Sequence, residues 1–177
     1  EMMRRFLSGL LAMVMVSSVL ASAAFAADTP FSDVASTAWY SEAVGYVYQN
    51  GLFSGTSEDR FSPDISMTRA MFVTVLYGQA KKLGRDMSVK TASKFTDLKD
   101  EWYINVVLWA AQNGVVAGKT ATVFAPDQDI TREQMCVILI NFLEKYLKYD
   151  LTVYAGVINF ADKATISNYA IDAVGKA

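Results

Sequence analysis

Two stretches of this chain repeat each other residue by residue at a displacement of 63 to 64 positions, and that periodicity limits the fold more than any other feature. Phe31-Ser32-Asp33-Val34 returns as Phe95-Thr96-Asp97-Leu98, and Trp39-Tyr40 returns as Trp102-Tyr103 after one residue is dropped from the intervening loop. From there the register is constant: Asn50-Gly51 matches Asn113-Gly114, Gly55 matches Gly118, Phe61 and Pro63 match Phe124 and Pro126, and Thr68-Arg69 matches Thr131-Arg132. A third copy opens at Phe160-Ala161-Asp162 and runs through Asn168-Tyr169 to Val174; its second half, with the matching arginine, would fall beyond Ala177, so this copy reads as truncated.

Each unit reads as helix, loop, helix. Tyr40, Ala43, Val44, Val47 and Tyr48 fall on one face at helical spacing. Gly51 is placed to end that helix, because glycine takes a left-handed backbone conformation without steric cost. The loop from Leu52 to Ser66 is polar and rich in turn residues. Thr68 and Thr131 are suited to cap the second helices, and Gln134 completes a capping box with Thr131. Met71, Phe72, Val73, Val75 and Leu76 make the first of these second helices apolar on most sides, as do Met135 to Ile140, Phe142 and Leu143 in the other. Such helices need protein all round them, so the second helices are expected to form an inner bundle with the first helices outside.

Ahead of the repeats, Arg4 and Arg5 precede an apolar run from Phe6 to about Val19 and then small residues, the pattern of a secretory signal peptide with cleavage expected after Ala26. The run is short of the roughly 20 residues that span a bilayer. The expected organisation is a leader at 1–26, repeats at 27–90 and 91–155, and the start of a third at 156–177. The chain carries a net charge of −2, which argues against a nucleic-acid partner. It has no histidine, which removes the commonest general base and metal ligand. No carboxylate pair stands out for glycoside chemistry, and Asp127-Gln128-Asp129 lacks the glycine and final glutamate of an EF-hand loop. Neither an enzyme, a cofactor nor a metal site is expected. Cys136 is alone, so no internal disulfide forms, and it reads as a small buried hydrophobe.

The motifs Phe-x-Asp-Val, Trp-Tyr, Gly-x-x-x-Gly, Phe-x-Pro and Thr-Arg-Ala-Glu, quoted above in their order and spacing, resemble those of S-layer homology domains over residues 31–177. Two departures lie in the last motif: Met71 stands at the family's glutamate, and the second copy reads Thr131-Arg132-Glu133-Gln134. The resemblance implies an all-α fold of three helix-loop-helix repeats in a pseudo-threefold arrangement around a central helical bundle. It also implies non-covalent anchoring of an exported protein to secondary cell-wall polysaccharide, often pyruvylated. By position, Arg69 and Arg132 would meet the acidic sugar, with Trp39, Trp102, Gly51 and Gly114 near the grooves between repeats.

The physical case is strongest for the arginines. A guanidinium binds a ketal carboxylate through two charge-assisted hydrogen bonds, and a helix N-terminus adds free amides. The competing reading is an internal salt bridge to Asp33, Asp64, Asp97 or Asp127. The tryptophans suit stacking on a sugar face, although a tryptophan opening an amphipathic helix is more often a partly buried packing residue. Asp33 and Asp97 are expected to organise a turn or cap. Two other functions stay open: a structural surface-layer subunit, and an envelope protein whose functional domain lies further along. A protein partner ranks last. If three repeats close one core, a chain with an incomplete third is expected to expose apolar surface and self-associate.

Overall fold

The computed structural model describes residues 29–99, 101–154 and 159–177. The leader and cleavage point expected from sequence lie outside the described residues. All regular elements among them are helical, as the sequence requires: α1 Ser41–Gln49, α2 Arg69–Lys82, α3 Glu101–Gln112, α4 Arg132–Asn141 and α5 Ile171–Lys176, with a π turn at Phe142–Tyr146 continuing α4. Two 3-10 turns, Thr152–Tyr154 and Lys163–Thr165, and two isolated β-bridges complete the inventory among the described residues. None of the described helices is long and apolar enough to cross a membrane.

The chain forms two compact units, and the division falls between Pro63 and Asp64, inside the first repeat. In the unit that ends at Pro63, α1 buries Ser41, Val44 and Gly45, with Val47 and Tyr48 half-buried. Ala43, expected on the inward face, is exposed. The buried stripe is therefore turned by about one position, with the small Ser41 and Gly45 beside Val44. Gly51 ends the helix at φ +54°, and the amide of Leu52 returns 2.7 Å to the carbonyl of Val47, a Schellman closure. Gly114 does the same for α3 at φ +71°, with Val115 N to Ala110 O at 2.9 Å.

The two loops share one internal clamp. Asp33 accepts the successive amides of Phe61 (2.9 Å) and Ser62 (2.8 Å), and Asp97 accepts those of Phe124 (3.0 Å) and Ala125 (2.7 Å). Ser62 and Ala125 both stand at φ +59°, a left-handed conformation that a side chain ordinarily disfavours. The paired amides on one carboxylate hold it there, which is the turn-organising role expected of Asp33 and Asp97. Gly55 and Gly118 lie flat against the rings of Phe31 and Phe95: an added Cβ would stand 2.6 Å from either ring.

In the unit from Asp64, Thr68 Oγ1 accepts Met71 N and Thr131 Oγ1 accepts Gln134 N, each at 3.3 Å, so both threonines cap as expected. The reciprocal half of the capping box is not made, because the Gln134 side chain is engaged by Arg69 instead. No residue of α2 from Arg69 to Ala80 is exposed. Its principal partner is α3, the first helix of the second repeat, while its contact with α4 is minor. Tyr103, Val107, Trp109 and Ala110 of α3 are completely buried, and Trp109 sits edge-on between Tyr77 of α2 (5.2 Å) and Tyr146 of the π turn (4.9 Å). The expectation of second helices inside and first helices outside is thus corrected. An all-round apolar helix finds its cover in the first helix of the following repeat. α4 in turn packs on α5, in the segment that follows the second repeat.

Candidate functional site

The two motif arginines, alike in sequence, are placed differently. Arg69 begins α2 but is only 5% exposed. Its Nε donates to the carbonyl of Phe124 (3.0 Å), one terminal nitrogen donates to Gln134 Oε1 (3.2 Å) and the other approaches the carbonyl of Ala117 (3.5 Å). The guanidinium carbon lies 4.8 Å from the centre of the Phe124 ring, a cation–π contact. The segment before it is stitched to the same loop: Ile130 N donates to Met67 O, Arg69 N to Gln128 O and Ala70 N to Pro126 O, at 2.9 to 3.0 Å. Burial lowers the Arg69 pKa, opposed by the nearby Tyr169 and Asp97. Its geometry is that of an internal strut, bonded to backbone carbonyls and an amide rather than to the aspartates considered from sequence.

Arg132 begins α4 and is exposed, with no ion pair or hydrogen bond of its side chain among the described residues. Beside it Glu133 turns to the C-terminal segment, accepting Ser167 N and Ser167 Oγ at 3.0 Å and the Tyr169 hydroxyl at 2.6 Å. The Tyr169 hydroxyl and then the Ser167 amide hold the Glu133 carboxyl below its usual range, and burial followed by Glu133 raises Tyr169. Glu133 and Gln134 were not singled out as functional residues. Their signal was in plain sight, since they are the two positions at which the second copy departs from Thr-Arg-Ala-Glu.

The tryptophans are not packing residues. Trp39 is 92% exposed and Trp102 is 52% exposed, each touching the tyrosine that follows it edge-on. The packing expectation fails because Tyr40 and Tyr103 take the inward positions, and Tyr103 fills the core completely. Nor do the tryptophans join the glycines. Trp39 and Gly51 lie at opposite ends of α1, as Trp102 and Gly114 do of α3, about 18 Å apart at 1.5 Å per helical residue. Gly51 and Gly114 are helix terminators, and Gly114 lies under the aliphatic stem of Lys145. Cys136 is a half-buried free thiol. No cluster of metal-ligating side chains occurs among the described residues.

The model of the S-layer homology domain matches residues 30–71 and 94–136. This chain carries two S-layer homology domains. Each matched span begins one residue before the opening phenylalanine, Phe31 or Phe95, and ends just beyond the motif arginine, Arg69 or Arg132. Among curated relatives, an endoglucanase of Bacillus sp. (strain KSM-635) is 36% identical over 84% of this chain and 15% of its own length. A cellulosome-anchoring protein of Acetivibrio thermocellus is 28% identical over 65% of this chain and 26% of its own length. The S-layer protein sap of Bacillus anthracis is 28% identical over 78% of this chain and 16% of its own length. The chain thus spans about a quarter or less of these relatives. These differently named proteins have in common a stretch similar to this chain, and two of them are named for anchoring or for the S-layer.

Proposed function

We propose that the chain attaches an exported protein to the bacterial cell envelope by binding wall polysaccharide non-covalently, without catalysis. In this reading Arg132 supplies the surface cation for an acidic sugar, such as a pyruvyl ketal, and Trp39 and Trp102 offer aromatic faces to sugar rings. Arg69 serves indirectly, by fixing the loop of the second repeat, and Gly51 and Gly114 shape helix ends rather than touch the polymer. The pseudo-threefold arrangement of repeats belongs to the same proposal. The observation that carries it is the exposed Arg132 at the start of a capped helix, a ready anion site within a surface-anchoring module.

The test is sedimentation of the full chain with purified sacculi, with wall polysaccharide intact or chemically stripped. Binding that needs the polymer and falls with Arg132→Ala supports the proposal. Retention on stripped walls would make the polysaccharide the wrong partner and favour a protein or lattice contact. A second reading, a structural surface-layer subunit, is favoured by the likeness to the S-layer protein sap, and it predicts ordered self-assembly without sacculi.

A further inference from the structure

α2 and α4 are covered by different means. α3 covers α2 with large groups, Tyr103, Val107 and Trp109, all completely buried. The C-terminal segment 159–177 covers α4 with much less: Ala170 and Ala173 are its only buried residues, while Phe160, Tyr169 and Ile171 stay exposed. Two alanine side chains remove little apolar area from water, and apolar stabilisation scales with that area. α5 packs on α4 and on the turn Thr152–Tyr154, with no comparable contact to α2 or α3.

Polar bonds supply the rest of the hold. One carboxylate, Glu133, receives the Ser167 amide, the Ser167 hydroxyl and the Tyr169 hydroxyl. Lys176 Nζ lies 2.9 Å from Glu144 of the π turn and 2.8 Å from Asp172. Glu133 stands where the first repeat has the completely buried Ala70, so this carboxylate has no counterpart there and belongs to the second copy's own departure from the motif. At helical spacing Glu133, Val137 and Ile140 share one face of α4, with Cys136 at its margin. Ile138, Leu139 and Phe142 join the core made with α2 and α3, whereas Ile140 is buried outside that core. The C-terminal segment therefore lies over a separate strip of α4, clasped by Glu133 towards one end and Glu144 towards the other.

We infer that residues 159–177 form a strap that opens from α4 as a unit while the core of α2 and α3 stays folded, with Glu133 as its latch. Opening uncovers Val137, Ile140 and the Cys136 thiol. An element held by few apolar contacts and by hydrogen bonds at its edge opens at a lower free energy than the core it rests on. The strap is independent of the anchoring proposal. Cys136 is the one cysteine of the chain, so its labelling reports opening without an added probe. The test is labelling of the full chain with iodoacetamide, a neutral reagent, alongside hydrogen exchange read by mass spectrometry. Thiol labelling and amide exchange over 167–176 are expected to proceed together while the amides of α3 stay protected. Glu133→Ala should speed labelling about tenfold, and Tyr169→Phe, which leaves the charge unchanged and alters an exposed side chain, about fivefold. Labelling no faster than the loss of protection in α3, or a rate that either variant leaves unchanged, would overturn the inference.

Discussion

Arg69 and Arg132 occupy the same step of the same motif, follow the same capping threonine and open equivalent helices, yet one is sealed into the protein and the other stands in solvent. The difference comes from what lies beyond them. Arg69 finds the loop of the second repeat, whose Phe124 and Ala117 carbonyls and Phe124 ring receive the guanidinium. Where Arg132 stands, the contact to the segment that follows is made by Glu133 instead. Motif identity therefore fixes the position of an arginine in its helix, while the chain that follows decides its job.

The largest expected effect that sharpens this contrast is on stability. Arg69→Ala should destabilise the unit from Asp64 by about 3 kcal/mol, because removing the donor leaves buried carbonyls unpaired as well as losing charge-assisted bonds. Arg69→Lys should recover little, since one ammonium does not reach three divergent acceptors. Urea unfolding followed by circular dichroism reads both. A cost below 1 kcal/mol for Arg69→Ala would break the contrast.

Acid should act next. Asp33 is held below its usual pKa first by the Phe61 amide, and Asp97 likewise, where burial pushes the carboxyl up but the Phe124 and Ala125 amides outweigh it. A lowered folded-state pKa stabilises above the unfolded value, 3.8, and is lost as pH falls through the folded value. Stability should therefore be flat around neutrality and decline below about pH 4, and Asp97→Asn should flatten that decline. An unchanged acid limb in the variant would remove Asp97 from its clamp role.

Smaller again, Thr68→Ala and Thr131→Ala should each cost about 1 kcal/mol through loss of the cap. Smallest of all, Arg132→Ala should change stability by less than about 0.5 kcal/mol, as for a surface side chain without partners, although it weakens sacculus binding. A large stability loss there would place Arg132 in a structural contact after all.

Much of the architecture was legible in the sequence because repetition supplies two readings of every element. The helix termini at Gly51 and Gly114, the caps at Thr68 and Thr131 and the turn role of Asp33 and Asp97 all follow from local chemistry. What was not legible depends on neighbours distant in sequence. Periodicity puts Tyr40 on the apolar face of the first helix, where the structure half-buries it, but it does not show that the tryptophan before it is left in solvent. The apolar girth of α2 shows that it needs cover without naming α3 as the source. Gln134 reads locally as half of a capping box, and only the arrival of Arg69 from 65 residues away redirects its side chain.

The most direct test follows the arginine Nε–H resonances of the full chain while purified wall polysaccharide is added. The Arg69 Nε–H, buried and bonded to Phe124 O, should exchange slowly with water and keep its position throughout, whereas the Arg132 signal should move with the titration. A polymer-dependent shift confined to Arg69, or an Arg132 signal that stays still while the polymer binds, would contradict the division of labour between the two arginines.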